Sequence, residues 1–511
     1  MRPIQSTRRQ FLQAVGATAA TLNLPLVHAD DTPDGIVIDP KPRFALSPYL
    51  YMQFMEPLGT TDGSVAAAWD FGRDCWREDV IDVTRRLAPS MMRWGGCFSS
   101  YYRWKEAVGP RGKRVPMINM CWGGIDTNQI GTVEFVDFCR QVDAEPLMCV
   151  NFESDGRKYW EKDPKGSIRM AGPEEAAEWV RYCNDPDDRL RRSHGIVSPC
   201  TMRWWQIGNE TSYDRNGYDC QTAAKRTIAF AKAMRQADPN LTLIGWGDSG
   251  WAKRMLDIAG EHLQYIAFHH MFNPDQGQAD SPLRDTEYRK DPARTWEHLM
   301  NAHKTHEARI RWMREQVGDN PTPLAMTECH FALPGRNRCE VLSSWAAGVS
   351  NARLLNVHER HGDRLKIATL ADFCGTRWQV NAIMIPVPGG QSFMMPVARV
   401  MSLYRHHSGD EAVDVTQTPD GLDIAASRQA DKLFLHVVNT NRRQSVATQI
   451  AIAGMQIASG RVFELTGDPE HEIIRAEPNG VTLSEKALPQ DGRWSFPAAS
   501  VSAVELDVQT A

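Results

Sequence analysis

Eight short apolar runs rich in β-forming residues recur along most of the chain, and amphipathic helical segments separate them. The runs begin at Tyr49, Ser90, Pro146, Arg203, Leu241, Tyr265, Pro323 and Ile367. Apolar residues recur at helical spacing in the segments between them, as in 132–142 and 222–237. Buried strands that alternate with helices in this way are typical of a (β/α)8 TIM barrel. The alternative is a doubly wound open sheet, but no glycine-rich phosphate loop follows the first strand.

The pattern changes after Pro396, where short alternating strands are separated by turn residues. This pattern predicts a C-terminal all-β sandwich over 396–511, following a barrel over 46–395. The apolar run "GIVIDP" predicts a strand within 30–45 that joins the sandwich. A long polar stretch, 273–296, follows the sixth strand, and we expect it to face a substrate at the rim of the barrel.

The first 29 residues read as a targeting segment rather than as part of the fold. Arg8 and Arg9 precede a mild apolar run, which ends at the small-x-small sequence Val27-His28-Ala29. This predicts a twin-arginine signal peptide, and therefore export to the periplasm or the cell exterior. An ordinary basic tail is the alternative. No stretch approaches the ~20 consecutive apolar residues of a membrane span, so we expect no membrane partner.

Charge and residue counts narrow the classes of partner. The formal net charge is −5 and no long run of like charge occurs, which argues against nucleic acid or anionic lipid as a partner. Sixteen tryptophans are compatible with binding of sugar rings. Eleven cysteines are an odd number without C-x-x-C spacing, and their pairing stays open. We predict no metal and no cofactor, because these candidate ligands show no metal-site spacing: Cys97, Cys329, His269, His270 and His330.

Two carboxylates end packed strands. Glu210 closes "RWWQIGNE", the fourth strand, and Glu328 lies in "PLAMTECHF", the seventh. The ends of these strands face one another across the mouth of a barrel, where such folds carry out their chemistry. Glycoside hydrolysis requires one protonated and one ionised carboxyl group in such a cleft. His269 and His270 end the sixth strand and could donate to a sugar or a carboxylate, although a core position is an equal alternative.

At this point the chain resembles a known family. The segments "LSPYLYMQFMEPLG", "MMRWGGCFSSYYRWKEAVGPR", "RWWQIGNE" and "FAKAMRQADPNLTLIGWG" occur in the order and spacing of family 51 glycoside hydrolases. These are chiefly α-L-arabinofuranosidases of clan A. The Gly-Asn-Glu sequence is shared across the clan, whereas the run around "RWGGCF" is more specific to the family. The resemblance is dense as far as Gly247 and thins afterwards.

The resemblance implies a retaining mechanism, with Glu210 as general acid/base and Glu328 as nucleophile. It also implies that Arg93 holds the nucleophile ionised and that Asn209 bonds the sugar 2-hydroxyl. The remaining implied substrate contacts come from Glu56, Cys97, Trp378 and Gln379. The implied activity is exo-acting cleavage of α-L-arabinofuranosyl groups from poly- or oligosaccharide, without a cofactor. Family members are often trimers or hexamers, so a homo-oligomer is expected.

Two departures from the family pattern leave the sugar open. Cys329 follows Glu328 where the family usually has tryptophan, and His270 follows His269 where it commonly has an aromatic residue, often tyrosine. The lost tyrosine hydroxyl would be replaced only if a histidine reaches Glu328. Alternatives are therefore a β-xylosidase, an endoglucanase or a galactofuranosidase. A catalytically silent sugar-binding protein on the same barrel is a further alternative.

Overall fold

The structure, a computed structural model, describes residues 35–336, 338–476 and 480–510. The predicted signal peptide, 1–29, lies outside these residues. Within them, no helix has both the length and the apolar character needed to cross a membrane.

Eight parallel strands form the sheet that carries the candidate site, and each lies beside the next one along the chain. We number these barrel strands one to eight. Their bounds are Gln53–Met55, Met91–Trp94, Glu145–Val150, Trp204–Ile207, Thr242–Trp246, Tyr265–Phe272, Leu324–Phe331 and Leu365–Ala368. Their residues are almost all buried, which explains why the sequence shows continuous apolar runs there rather than alternation.

The sheet curls so that its last strand returns to its first. The eighth strand pairs with the seventh, and the short strand Asp372–Gly375 that follows pairs with the first, Asp372 opposite Phe54. The Met52 amide also donates to the Ala368 carbonyl over 3.0 Å. These contacts make the sheet barrel-like and bring the carboxyl ends of all eight strands to one mouth. Two further short strands, Asn381–Met384 and Phe393–Met394, extend it beyond Asp372–Gly375.

One helix of eight residues or more follows each barrel strand. We number the ten described helices in chain order as α1 to α10: Ser64–Ala67, Glu78–Leu87, Thr132–Gln141, Pro173–Asn184, Arg189–Ser193, Cys220–Ala237, Ala252–Ala259, Pro292–Val317, Trp345–Arg360 and Pro396–His406. Helix α6 shows why these segments are helical. The Asp219 side chain caps it by accepting from the Thr222 amide, and the buried residues Ala223, Thr227, Phe230 and Met234 recur on one face.

Short 3-10 helices fill several of the connections. Their bounds are Pro48–Tyr51, Cys97–Tyr101, Trp104–Ala107, Arg111–Lys113, Glu153–Gly156, Lys158–Trp160, Gly260–His262, Glu287–Arg289 and Glu340–Ser343. Two small antiparallel pairs, Trp69–Asp70 with Cys75–Trp76 and Met117–Ile118 with Ile125–Asp126, lie in the loops after the first and second barrel strands.

The C-terminal part is a nine-stranded sheet around its own apolar core. Its strands are Ile36–Ala45, Glu411–Gln417, Leu422–Gln429, Lys432–Asn439, Val446–Ile452, Met455–Gly467, Val481–Ala487, Arg493–Phe496 and Val501–Thr510. Ile38, Leu435, Ile450 and Val504 belong to one buried cluster, so strands from distant parts of the sheet face a common interior. The strand Ile36–Ala45 pairs with both Glu411–Gln417 and Val446–Ile452. The N-terminal strand therefore belongs to the C-terminal sheet.

Helix α9 joins the two parts through buried polar contacts. Asp423 of the C-terminal sheet accepts from Arg353 over 3.0 Å and from Arg360 over 2.7 Å. The Glu359 carboxylate accepts from the Tyr51 hydroxyl over 2.5 Å, and the His436 ring lies 2.9 Å from it. Paired and buried charges of this kind fix the orientation of the contacting surfaces, because removing one partner leaves the other uncompensated.

Candidate active site

Arg93 lies at the centre of the candidate site, on the second barrel strand, with its side chain fully buried. Its Nη1 donates to Glu328 Oε1 over 2.7 Å, its Nη2 to Asn209 Oδ1 over 2.6 Å and its Nε to Gln206 Oε1 over 3.0 Å. One rigid guanidinium therefore connects the ends of the second, fourth and seventh strands. A fully buried cation with three acceptors is preorganised to hold a carboxylate in its ionised form.

Glu328 lies three residues before the end of the seventh strand, which is buried throughout, and 6% of the residue is exposed. Burial raises the pKa of its carboxyl group, and the neighbouring His269 and Arg93 act in the opposite direction. Two further carboxyl groups, Glu56 and Asp372, have their pKa raised well above the usual range by burial and then by the charge of Glu328. Arg93 donates directly to Glu328, so Glu328 is the first of these three acids to ionise as the pH rises.

Glu210 occupies a tight turn directly after the fourth strand. Its φ is +53°, in the left-handed region that a residue with a side chain seldom adopts, and it follows Gly208 with φ +81°. The buried Asp155 stabilises this turn. Its carboxylate accepts from the backbone amide of Asn209 over 3.2 Å and from the Thr211 hydroxyl over 2.6 Å. The turn aims the Glu210 carboxyl group into the cleft. Burial raises its pKa to about 7, with opposing effects of Arg157 and Arg93.

His269 connects the two acids. Its Nδ1 lies 3.0 Å from Glu210 Oε1 and 3.6 Å from Glu328 Oε2, and its Nε2 lies 3.0 Å from the Thr327 hydroxyl. Burial lowers its pKa to about 4, so the ring is neutral near pH 7. A neutral ring can donate from Nδ1 to Glu210 while Nε2 accepts from Thr327. The histidine that lies near Glu328 is therefore His269, whereas His270, which stands where the family commonly has an aromatic residue, contacts His306 instead.

The two carboxyl groups are close to each other. One oxygen of Glu210, one of Glu328 and one ring nitrogen of His269 all lie within 4.8 Å of one another. Retaining glycosidases have carboxyl groups about 5–5.5 Å apart, whereas inverting enzymes need a wider gap of about 6.5–9.5 Å for a water molecule. The observed proximity fits the shorter spacing.

Glu56 lies beside this pair at the end of the first strand. Its Oε1 accepts from the Trp122 indole over 2.8 Å and from the Phe98 amide over 3.4 Å. The adjacent Gly96 has φ +151°, and a Cβ there would lie 2.1 Å from the Glu56 carboxyl carbon. Only glycine therefore lets this carboxyl group occupy the cleft wall.

Several buried side-chain donors at the site lack a protein partner among the described residues. They include the Asn209 Nδ2 amide, the Trp378 Nε1 indole and Arg157 Nε. Asn209 is fixed through its Oδ1 by Arg93, so its amide protons are left for another acceptor. The Trp378 ring packs edge-on against Trp122 and His330, with centroid distances of 6.1 and 5.6 Å. A buried donor without an acceptor is costly, which suggests that a bound molecule supplies the acceptor.

Cys97, His270 and Gln379 differ in how they relate to the acids. The Cys97 thiol lies 3.8 Å from Glu210 Oε2 and therefore lines the site. Gln379 is half-exposed and its amide donates to the Arg377 carbonyl over 3.3 Å, so its described contact is with the loop itself. His270 faces the opposite side of the sixth strand from His269, as alternation along a strand requires. Its Nδ1 lies 3.1 Å from His306 Nδ1, on helix α8.

Sequence reasoning missed three residues that shape the site: Trp122, Asp155 and Arg157. Trp122 lies in the turn between the short strands Met117–Ile118 and Ile125–Asp126, away from the end of any barrel strand, and Asp155 and Arg157 lie just beyond the end of the third strand. Arg157 donates from Nη2 to the Glu210 carbonyl. The glycines of "CWGG" and "SDGR" mark tight turns, but they do not reveal which side chain points inward.

A cleft of about 540 Å³ adjoins His269. Its lining includes Tyr213, Asn273, Gln276 and Arg309. Asn273 and Gln276 belong to the polar stretch after the sixth strand. This stretch therefore contributes to a concave surface next to the acids, where a substrate-facing loop was expected.

A barrel-like sheet whose strand ends hold two adjacent carboxyl groups, one bound by a buried arginine, defines a glycoside hydrolase site. Two family profiles match the chain: "Alpha-L-arabinofuranosidase 1 domain" over residues 83–290 and "Alpha-L-arabinofuranosidase C-terminal domain" over residues 330–500. The chain belongs to family 51 of the glycoside hydrolases, the α-L-arabinofuranosidase family.

Individual proteins agree with this assignment. An intracellular exo-α-(1→5)-L-arabinofuranosidase of Streptomyces lividans is 25% identical over 487 residues, which cover 86% of this chain and 69% of the relative. A Bacillus subtilis protein with a similar name is 26% identical, covering 79% of this chain and 82% of its own length. The family 51 α-L-arabinofuranosidase structure from Thermotoga petrophila superposes with a TM-score of 0.72 at 24% identity, covering 92% of this chain and 99% of that one. The structural likeness shows the shared fold.

The prediction of a periplasmic or extracellular protein is wrong on this comparison, because the relatives from S. lividans and B. subtilis are both named intracellular. Two arginines before an alanine-rich run form a short pattern, and it carries no packing constraint that would distinguish an export signal from a basic tail. All eleven cysteines lie in the described part of the chain and are free thiols there.

Proposed function

We propose that the chain is a retaining, exo-acting α-L-arabinofuranosidase whose chemistry is carried by Glu210 and Glu328. The proximity of the two carboxyl groups, in unlike environments, is the observation that supports it best. Glu328 has a direct cationic partner, Arg93, whereas Glu210 has a neutral histidine and a thiol. Environments of this kind separate the protonation of paired acids, which sets their roles.

In the first step, ionised Glu328 attacks the anomeric carbon and forms a glycosyl-enzyme ester. Glu210, with a pKa of about 7, is protonated at mildly acidic pH and donates its proton to the leaving oxygen as the glycosidic bond breaks. The amide of Asn209 donates to the sugar 2-hydroxyl, and this bond strengthens as positive charge develops at the anomeric carbon. Glu56 and Trp378 hold further sugar hydroxyls, and Cys97 and Gln379 complete the sugar contacts.

In the second step, Glu210 has lost its proton and acts as the base. It removes a proton from water, which attacks the anomeric carbon and displaces Glu328 with its bonding electron pair. Two displacements at the same carbon return the original anomeric configuration. The neutral His269 ring can donate from Nδ1 to a Glu210 oxygen whether Glu210 is protonated or ionised, and Glu328 Oε2 lies 3.6 Å from the same nitrogen. These two acids supply all the proton and covalent chemistry, and the mechanism requires no cofactor.

The substrate is a carbohydrate with terminal α-L-arabinofuranosyl groups, most directly an α-(1→5)-linked arabino-oligosaccharide. The named activity of the S. lividans and B. subtilis relatives supports this linkage. The sugar-binding groups project from a (β/α)8 barrel over 46–395. The C-terminal region 396–511 begins with helix α10 and continues as a β-sandwich, which is completed by the strand within 30–45 and packs against the barrel. Assembly into a homo-oligomer stays a prediction.

Hydrolysis of a panel of aryl glycosides tests the function. We expect rapid release from the α-L-arabinofuranoside and much slower release from the β-xyloside, β-cellobioside and β-galactofuranoside. Proton NMR of the first product should show the retained anomer. Glu328→Ala should lower turnover by roughly four orders of magnitude or more, since the nucleophile is removed. If the unaltered protein binds the sugars but hydrolyses none of the glycosides, it is instead a catalytically silent binding protein.

A further inference from the structure

Behind the sixth and seventh barrel strands lies a cluster of three side chains, two buried and one partly exposed, that the proposed hydrolysis does not use. It consists of His270, His306 and Cys329, and each offers one atom within 4.8 Å of the others. His270 Nδ1 lies 3.1 Å from His306 Nδ1, which in turn lies 4.0 Å from the Cys329 sulfur. We call these three residues the His-His-Cys cluster.

The cluster contains the two residues that depart from the family pattern. His270 and Cys329 are register partners on the paired sixth and seventh strands, so both side chains leave the sheet on the same side. That side is opposite to the one on which His269 and Glu328 meet. Helix α8 contributes His306 above the pair. His270 and Cys329 thus lie against the buried His306, and all three side chains could bind one and the same ligand.

The nitrogens of the cluster are available as ligands. The Nδ1 atoms of both rings face the cluster, and a neutral imidazole keeps one nitrogen lone pair that a metal can bind. His306 is also oriented from behind, since its Nε2 lies 2.8 Å from His358 Nε2. A proton on His306 Nε2 leaves Nδ1 as the basic nitrogen facing His270 and Cys329. Metal-binding histidines are typically held in this way through their second nitrogen.

We propose that the His-His-Cys cluster is a binding site for a borderline-soft divalent cation, Zn²⁺ foremost. Two imidazoles and a thiolate suit Zn²⁺ better than the hard cations Mg²⁺ and Ca²⁺, which prefer oxygen. Around tetrahedral Zn²⁺ such ligand atoms lie about 3.3–3.6 Å apart. The observed separations of 3.1 and 4.0 Å require adjustments of a few tenths of an ångström.

Binding would release the Cys329 thiol proton to solvent and form a sulfur–metal bond in its place. The three protein ligands leave a fourth position, which a water molecule can fill. The cleft beside His270 provides a path, since that ring lines it together with Thr305 and Arg309. Arg309 carries a positive charge near the site, and its Nη2 is paired with Asp248.

A cation here would clamp the sixth and seventh strands directly behind His269 and Glu328. Residue 270 follows one member of the catalytic group and residue 329 follows the other, so the clamp would fix the register of both. The site is therefore a positioning device, and its occupancy can be measured whether or not the proposed activity is correct.

Cobalt substitution tests the site. The purified full-length protein is stripped with a chelator and titrated with Co²⁺, whose visible bands report tetrahedral geometry and whose near-ultraviolet charge-transfer band reports a thiolate ligand. We expect one Co²⁺ per chain with a thiolate band, and displacement of the band by Zn²⁺. Cys329→Ser should remove the band, and His270→Phe, which keeps the ring stacking on Phe272, should weaken binding by at least about tenfold.

Matched controls are Cys220→Ser, a half-buried thiol outside the cluster, and His303→Ala, on the same helix as His306. Both should bind Co²⁺ like the unaltered chain. Far-ultraviolet circular dichroism of the stripped variants shows that each is folded, and Zn²⁺ should raise the melting temperature of the unaltered chain but not of Cys329→Ser. An unaltered chain without a thiolate band, or a band that survives in Cys329→Ser, would overturn the proposal and leave a hydrogen-bonded row of histidines.

Discussion

Arg93 and Glu328 form a buried ion pair at 2.7 Å, joining the second and seventh barrel strands across the interior of the sheet. The guanidinium is fully enclosed, so this contact is shielded from the solvent screening that weakens surface pairs. The pair places an ionised carboxylate in an environment where burial alone would favour the neutral acid. The predictions below depend on this opposition between burial and a fixed charge.

Arg93→Lys should separate these two effects. Lysine keeps the charge but loses the fork that also holds Asn209 and Gln206, so the cation would bind Glu328 less well. The pKa of Glu328 would then rise further, and the acidic limb of the kcat/KM profile should move to higher pH. We expect kcat to fall by about 10²-fold. The matched control is Arg103→Lys, which disturbs a comparable fork to Glu175 away from the acids and should leave the profile in place.

The unaltered enzyme should show a bell-shaped dependence of kcat/KM on pH. Activity requires protonated Glu210, so it should be lost as the pH rises through about 7, the pKa of that group. Activity also requires ionised Glu328, whose pKa burial raises, so the acidic limb should lie above the ordinary range of a glutamate. A profile that stays flat through pH 9 would contradict the assignment of Glu210 as the acid.

Glu210→Ala should remove the acid and the base but leave the nucleophile. With an activated aryl leaving group the first step needs little acid assistance, so the glycosyl-enzyme should accumulate and turnover should fall by about 10²–10⁴-fold. Azide should restore part of the rate, because a small anion attacks the intermediate without a base. Mass spectrometry of the trapped ester and of the glycosyl azide checks both statements. Full activity in this variant would end the assignment.

Asn209→Ala tests the donor that lacks a protein partner. The variant should lose about 10²-fold or more in kcat/KM on the aryl arabinofuranoside, mainly in kcat, because the bond to the 2-hydroxyl strengthens in the transition state. On the corresponding 2-deoxy substrate, unaltered and variant enzymes should differ much less. Equal losses on both substrates would show that Asn209 acts only through Arg93.

Much of the barrel could be predicted because its strands are buried on both faces. A continuous apolar run such as 265–272 can be recognised without knowledge of its neighbouring strands, and each of the eight predicted runs overlaps a strand of the sheet. The strands Glu411–Gln417 and Leu422–Gln429 were not predicted. They are interrupted by polar and small residues whose burial depends on the neighbouring strands. Helix α10 begins at Pro396, where the sequence suggested only strands.

The site residues, too, could be predicted only in part. Glu210 and Glu328 were placed by their positions at strand ends, and the structure brings them together. The direction of a side chain depends on the phase of its strand, which the dipeptide His269-His270 left open. Only His269 faces the acids, whereas His270 meets a residue that lies 36 positions further along the chain. Contacts made across such distances in sequence cannot be recognised from local spacing.

The strand Ile36–Ala45 inserts between Glu411–Gln417 and Val446–Ile452. During synthesis this strand leaves the ribosome among the first segments of the fold, yet its neighbours are made only after the whole barrel. The C-terminal sheet can therefore be completed only after the whole barrel has been synthesised, by pairing with a strand that was made before it. A C-terminal fragment expressed without residues 36–45 would leave the facing edges of Glu411–Gln417 and Val446–Ile452 unpaired. Such edges are prone to pair with the same strand from another copy of the chain.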